Sequence, residues 1–276
     1  MIHRLFDWKH RSSIRIPRWI KWVVFRSLRV TQCIRRMPDY CIIGGQKCGT
    51  DSIYYYLSSH PKVRRSVVKE INYFSKHFDK GSAWYRSNFP INCGRKFITG
   101  EGSTMYLYSS DAPMRMLSEV PRIKLIVMLR DPVDRAISHY YHRLRSGKES
   151  RSIGDAFASA LKHAGRGEFV SGTDTDYLSY GNYAKHLKQW VSVFEPENLM
   201  VIQAEEYFSA PESVYERICC YLEVGYVKSA DQIKMNAGRY DNQELDFISE
   251  LKDYFRPLNE ALYSMDQIKF RWENKL

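Results

Sequence analysis

Two stretches of the 276-residue chain combine glycines, basic side chains and hydroxyls in an order that suits anion binding. The first reads IIGGQKCGTDS, residues 42–52, and contains Lys47 between two groups of glycines. Glycines let backbone N–H groups approach an anion closely, and a helix that begins near Thr50 adds the positive end of its dipole. In the nucleoside triphosphate loop G-x-x-x-x-G-K-[ST] the lysine follows the last glycine, whereas Lys47 precedes Gly49. Taken alone, the stretch fits a structural turn at least as well as an anion site.

The second stretch reads RDPVDRAISHYYHRLR, residues 130–145, and follows the apolar run KLIVML. An unpaired guanidinium at the end of a buried strand is costly, so Arg130 requires a partner. Ser138 lies eight residues further on, about two turns along the predicted helix. Arg130 and Ser138 can therefore bind a second anion through a fork-shaped contact and a hydroxyl. In the alternative interpretation, Arg130 only pairs with Asp131 or Asp134.

Strand-like and helix-like segments alternate along the chain and predict the frame that positions these residues. The predicted strands are residues 42–45, 96–101, 124–129 and 198–203, and the predicted helices are residues 52–57, 132–145, 183–194 and 213–222. Such alternation predicts a single α/β domain of three layers, with a central, mainly parallel sheet and helices on both faces. Ligands of these sheets bind at the carboxyl ends of the strands, where both stretches fall.

The net charge of +11 is concentrated near the N-terminus. Residues 1–37 hold ten Lys and Arg against Asp7, which is a local charge of +9, and only +2 remains for residues 38–276. The basic composition is therefore not evidence that the folded domain binds nucleic acid, and we expect no such partner. The predicted domain boundary lies between residues 37 and 38.

The N-terminal segment, residues 1–37, has the pattern of a basic amphipathic helix. Its longest apolar run, Trp22 to Phe25, is far shorter than the roughly 20 residues of a membrane span. On a helical projection one arc is apolar and the other basic, so the segment can lie on an anionic membrane surface or pack on the domain. The apolar arc comprises Ile16, Trp19, Ile20, Val23, Val24, Val30 and Ile34. The six cysteines form no C-x-x-C pair, which favours a reducing, cytoplasmic setting. The membrane surface that faces the cytoplasm is compatible with this setting.

The two anion stretches, together with several others, carry a resemblance to a known family. The motifs are IIGGQKCGT, SSHP, KEINYFS, GEGSTMYL, LRDPVDRAISHYY, GNYAKHLKQW and GRYDNQELDFISELKDYFRPLNEALY. In this order they resemble the sulfotransferases that use 3′-phosphoadenosine 5′-phosphosulfate (PAPS), most closely the heparan-sulfate-type enzymes and their bacterial relatives. The resemblance covers roughly residues 38–272.

The resemblance implies a P-loop-like fold, PAPS as co-substrate, no metal, and a carbohydrate or another hydroxyl- or amine-bearing acceptor. It implies that Lys47 stabilises the departing 5′-phosphate and that Glu70, in KEINYFS, is the general base. The residues it assigns to PAPS are Gln46, Lys47, Cys48, Gly49, Thr50, Asp51, Ser52, Arg130, Ser138, Gly238, Arg239 and Tyr240. For Glu70, an ion pair with Lys69 or Lys76 is the alternative.

Two departures from the family pattern leave other functions open. Asp51 brings a negative charge to an anion loop, unless it caps the helix, and Gly102 stands where heparan-type enzymes commonly have lysine. Two alternatives therefore remain: a phosphoryl-transferring kinase on a related scaffold, and a catalytically idle nucleotide-binding protein at a membrane.

Overall fold

The computed structural model describes residues 34–92, 94, 96–165, 176–228 and 246–272. Gly238, Arg239 and Tyr240 lie outside these ranges. The predicted amphipathic N-terminal segment, residues 1–37, also lies outside them except for residues 34–37. Within them, five parallel strands form one sheet in the order β2-β3-β1-β4-β5. The strands are β1 Tyr40–Ile42, β2 Val63–Arg65, β3 Ile98–Gly102, β4 Lys124–Leu129 and β5 Leu199–Gln203.

Helices cover both faces of the sheet. They are α1 Thr50–Ser58, α2 Tyr73–Lys76, α3 Gly81–Arg86, α4 Ala112–Glu119, α5 Pro132–Arg145, α6 Ile153–Gly165, α7 Tyr183–Val191, α8 Ala204–Ser209, α9 Pro211–Tyr221 and α10 Asp246–Tyr263. No helix in the described ranges is both long and apolar enough to cross a membrane.

Alternating side chains of the central strands point into two separate apolar layers. Leu125 and Val127 of β4 pack with side chains of α2, α3, α4 and α7, whereas Ile126 and Met128 pack with α1, α8 and α9. A third cluster joins α5, α6 and α10. A strand that is covered on both faces has to be apolar throughout, and this explains the unbroken run KLIVML. The predicted three-layer α/β architecture is confirmed.

Helix α5 begins immediately after β4 because two residues specify its start. Pro132 occupies the first turn, where its missing N–H costs no hydrogen bond. The Asp131 carboxylate accepts from the N–H groups of Val133, at 2.9 Å, and Asp134, at 3.1 Å. This cap fixes where Arg130 leaves the sheet.

Strand β1 ends earlier than its apolar run predicts. The predicted strand covered residues 42–45, whereas β1 spans Tyr40–Ile42 and the glycines belong to the loop that follows. The loop still runs against β4, since Gly45 N donates to Met128 O at 2.8 Å. A Cβ atom on Gly44 would lie 2.3 Å from Met128 N, so only glycine fits this approach.

Candidate active site

Loops after all five strands meet at the carboxyl edge of the sheet and carry the candidate functional residues. The loop after β1, residues 43–49, which we call the anion loop, contains Lys47. Glu70 follows β2, Thr104 follows β3, Arg130 follows β4, and helix α8 follows β5. The parallel topology thus brings together candidate residues that are far apart in sequence, from Lys47 to the start of α8 at Ala204.

The backbone of the anion loop is held in a left-handed turn before α1. Gly49 has φ 88° and forms the N-cap of the helix, and Lys47 has φ 70°. A non-glycine residue in this region is uncommon and persists only when its surroundings hold it. The first N–H groups of a helix have no intrahelical acceptor, so those at the start of α1 are available to an anion.

Lys47 lies half-buried beside other cations. Burial lowers the pKa of its ammonium group, and the nearby charges of Arg145 and Arg130 lower it further. An anion bound at this loop would relieve this repulsion, so the local electrostatics favour a negatively charged ligand.

Arg130 lies against the same loop from the β4 side. Its Nη1 donates to Lys47 O at 3.4 Å, and its Nη2 lies 3.8 Å from Asp134 Oδ2, so the predicted alternative pair is present. Arg130 Nε is buried without a hydrogen-bond partner in the described ranges. Ser138 is buried on α5, two turns beyond. The pair with Asp134 is long and leaves capacity for a second anion.

Two tyrosine hydroxyls, which sequence reasoning missed, fix the anion loop in place. Gln46 N donates to Tyr108 Oη at 3.0 Å. Tyr183 Oη donates to Arg130 O at 2.9 Å and lies 3.7 Å from Cys48 Sγ. Tyr183 thereby links the anion loop to the start of the Arg130 segment. The motif GNYAKHLKQW contains Tyr183, but nothing in its spacing indicated this contact.

Glu70 points to the turn after β3. Its carboxylate accepts from Thr104 Oγ1 and Thr104 N, each at 3.2 Å, and its backbone N–H donates to Gly102 O at 3.1 Å. The side chain keeps about a third of its surface exposed, at 34%. A carboxylate held in this way, yet open to solvent, is suited to accept a proton from a bound ligand.

Asp51 and Glu70 share one cation. Lys69 forms an ion pair with Asp51, which lies in the first turn of α1, and its Nζ is 3.8 Å from Glu70 Oε1. Lys69 Cε also lies 3.8 Å from the position that a Cβ on Gly102 would take, so the lysine occupies the space beside that glycine. Asp51 does not cap α1, because Gly49 is the N-cap. Its charge is instead compensated by Lys69.

Comparison with known proteins matches residues 37–244 to the sulfotransferase domain. The chain belongs to the sulfotransferase family. The matched range includes the anion loop, Glu70 and Arg130.

Three proteins illustrate what this sulfotransferase domain is similar to. The human bifunctional heparan sulfate N-deacetylase/N-sulfotransferase 3 is 30% identical over 68% of the chain, and human heparan sulfate glucosamine 3-O-sulfotransferase 3B1 is 27% identical over 87%. The chain spans 22% and 66% of their respective lengths. The crystal structure of a sulfotransferase from Alicyclobacillus acidocaldarius superposes with a TM-score of 0.67 at 28% identity, covering 83% of this chain and 95% of that one.

A second carboxyl group, Glu101, lies fully buried in β3 of the sulfotransferase domain. Burial raises its pKa from the ordinary 4.5 to about 7, although hydrogen bonds from Ser103, Tyr85 and Tyr106 act in the opposite direction. Glu101 is thus held as an acceptor for three hydroxyls, away from solvent. It is not placed to contact a ligand directly.

The raised pKa of Glu101 predicts how stability depends on pH. Between pH 4.5 and about 7 the folded protein keeps a proton that the unfolded chain releases, so stability is highest below this window and falls as the pH rises through it. Relative to Glu101→Gln, which cannot titrate, we expect the wild-type free energy of unfolding to decrease by up to about 3 kcal/mol across the window. Urea titrations of both proteins at several pH values measure the difference; a difference that does not change with pH would contradict the expectation.

In the described part of the sulfotransferase domain, no group of three or more His, Cys, Asp or Glu side chains is arranged to hold a metal ion. Burial, followed by the charges of Arg135 and Arg143, lowers the pKa of His139 to about 3, so its imidazole is neutral at pH 7. A reaction without metal stays a prediction.

Proposed function

We propose that the protein transfers the sulfuryl group of PAPS to a hydroxyl or amine of a carbohydrate or glycoconjugate. The observation that carries the proposal is the convergence of the anion loop, Arg130 and Glu70 at one edge of the sheet. The heparan sulfate enzymes among its relatives support a carbohydrate acceptor.

The residues present fit PAPS as a ligand with two separate anionic groups. The 5′-phosphosulfate is assigned to the anion loop, through Lys47, Gln46, Cys48 and Gly49, and to the start of α1, through Thr50 and Ser52. Arg130, whose buried Nε lacks a partner in the described part of the chain, and Ser138 receive the 3′-phosphate. Gly238, Arg239 and Tyr240, outside the described ranges, are proposed to close over the nucleotide, and direct contact by Asp51 stays a prediction.

The reaction is an in-line displacement at sulfur. The acceptor oxygen or nitrogen forms a bond to sulfur while the bond between sulfur and the 5′-phosphate oxygen breaks, and 3′-phosphoadenosine 5′-phosphate leaves. Glu70 takes the acceptor proton, and Lys47 stabilises the charge that develops on the departing oxygen. Positioning and cations provide most of the acceleration in transfers of this kind.

One labelling experiment tests the function. The protein is incubated with ³⁵S-labelled PAPS, or with γ-³²P-labelled ATP and Mg²⁺, together with a panel of glycans, glycolipids and phenols. We expect ³⁵S on a glycan or glycolipid and no ³²P transfer. Transfer of ³²P would establish a kinase instead, and binding of PAPS without transfer to any acceptor would favour a catalytically idle protein.

Arg130→Ala tests the 3′-phosphate assignment separately from catalysis. Loss of a charge-assisted hydrogen bond costs about 1.5–3 kcal/mol, so the Kd of 3′-phosphoadenosine 5′-phosphate should rise about 10- to 100-fold. The Kd of adenosine 5′-phosphosulfate, which has no 3′-phosphate, should stay within about twofold. Isothermal titration of both nucleotides makes the comparison. Arg122→Ala, at an exposed position before β4, is the control, and equal weakening of both nucleotides by Arg130→Ala would contradict the assignment.

The membrane hypothesis for residues 1–37 is also testable. Co-sedimentation with anionic liposomes should require the segment, whereas equal binding by a chain that lacks residues 1–37 would exclude it.

A further inference from the structure

The buried carboxylate of Glu101 accepts hydrogen bonds from three hydroxyl groups. Tyr85 Oη and Tyr106 Oη donate to Oε1 at 2.7 and 2.9 Å, and Ser103 Oγ donates to Oε2 at 2.7 Å. All four side chains are fully buried. A carboxylate at this depth is costly unless such donors satisfy it, so the arrangement is a complete network.

Two of these hydroxyls also hold the segment that carries Glu70. Asn72 N donates to Ser103 Oγ at 3.0 Å, and Tyr73 N donates to Tyr106 Oη at 2.8 Å. A hydroxyl has one hydrogen to donate and lone pairs to accept with. Above pH about 7, where Glu101 is ionised, it takes the hydrogen of each hydroxyl, and their lone pairs are directed at the two backbone N–H groups.

The segment needs such anchoring because its backbone is strained. Glu70 has φ 58° and Asn72 has φ 53°, both in the left-handed region that non-glycine residues rarely adopt. A conformation of this kind costs about 1–3 kcal/mol per residue and persists only where the surrounding structure enforces it. The hydrogen bonds from Asn72 N and Tyr73 N lie two and three residues after Glu70. They hold the backbone there and so prevent it from relaxing out of the left-handed conformation.

We propose that Glu101 is a positioning residue for sulfuryl transfer, which anchors residues 70–73 through Ser103 and Tyr106 and thereby fixes the carboxylate of Glu70. The proposal rests on the proposed function, in which Glu70 is the general base. Under this proposal, loss of the buried network lowers the rate of sulfuryl transfer as well as the stability of the fold.

Tyr85 and Tyr106 provide a matched pair of substitutions. Tyr106→Phe and Tyr85→Phe each keep the ring and each remove one hydrogen bond to the same Glu101 oxygen in an equally buried position. They differ because Tyr106 Oη also accepts from Tyr73 N, whereas the Tyr85 hydroxyl makes no bond to residues 70–73 in the described structure. A purely structural network would respond to both alike.

We expect Tyr106→Phe to lower kcat about 10-fold while Tyr85→Phe changes it less than about twofold, since misplacement of a catalytic group by 1 Å costs about 10²-fold. Ser103→Ala should resemble Tyr106→Phe. The Kd of 3′-phosphoadenosine 5′-phosphate should stay the same in all three variants. Glu101→Gln, which reverses the polarity of the contact with one hydroxyl, should lower kcat about 10²-fold.

Hydrogen exchange measured by mass spectrometry reports the anchoring without any turnover. Peptides that cover residues 69–76 should exchange faster in Tyr106→Phe and Ser103→Ala than in Tyr85→Phe and the wild type. Equal exchange or equal kcat in the two tyrosine variants would overturn the proposal, as would faster exchange with unchanged kcat. Failure of the proposed function is recognised separately, by a wild type that transfers no label or by a Glu70→Gln variant with the full rate.

Discussion

Replacing Lys47 by alanine is expected to lower kcat for sulfuryl transfer by about 10³-fold, which removes practical turnover. Lys47 is the full positive charge of the anion loop, and its backbone is held at φ 70° against Arg130. Loss of one preorganised hydrogen-bond donor at a developing charge costs about 10²–10³-fold, and a full charge in a half-buried site lies at the upper end. Single-turnover assays with labelled PAPS measure the chemical step directly.

Two further variants separate the charge of Lys47 from general effects on the fold. Lys188→Ala removes an exposed lysine of α7 and should leave kcat unchanged. Lys47→Arg keeps the charge but replaces a compact ammonium by a planar fork, so we expect it to restore binding of the nucleotide more fully than kcat. If Lys47→Ala retained a near-normal rate, the assignment of Lys47 to the leaving phosphate would be wrong.

The frame of the domain was predictable because its strands are buried on both faces. After Lys124, the strand β4 has no polar position that would hide it, and the Asp131 cap with Pro132 marks the following helix clearly. Strand β2 was not predicted, because it is a three-residue edge strand of sequence VRR whose pattern is mostly polar. The end of β1 was misplaced since glycines in close contact with β4 look, in sequence, like the continuation of an apolar run.

The catalytic candidates were found through motifs, whereas the contacts that support them were not. Lys47, Arg130 and Glu70 belong to short motifs that the sequence displays. Tyr108 contacts the distant Gln46, and Glu101 reaches residues 72 and 73 only through Ser103 and Tyr106. A residue type alone does not predict such contacts. The part of the chain that resembles the family contains both the catalytic candidates and the residues that support them. The resemblance, however, assigns roles only to the catalytic candidates.

Asp51 illustrates how the structure changes the interpretation of a residue. In sequence its charge opposes an anion loop, but its ion pair with Lys69 makes the pair neutral. Lys69 is also the cation nearest to Glu70 in the described structure, at 3.8 Å. The departures at Asp51 and Gly102 are therefore connected, because Lys69 pairs with the first and fills the space beside the second.

Replacement of Glu70 by glutamine should lower kcat by about 10²–10⁴-fold, the usual contribution of a positioned general base. Glutamine keeps the size of the side chain, and its amide oxygen can still accept from Thr104. It cannot take a proton from the acceptor. The Kd of 3′-phosphoadenosine 5′-phosphate, measured by titration calorimetry, should therefore stay within about twofold while kcat falls.

The control for Glu70→Gln is Glu197→Gln, which removes the same charge at an exposed position in the turn before β5. An acceptor that ionises easily provides a second test, because it needs less help from a base. For a series of phenols, the loss caused by Glu70→Gln should shrink as the pKa of the phenol falls. A loss that is the same for every phenol would instead assign Glu70 to binding or positioning, and full activity of the variant would exclude it as the base.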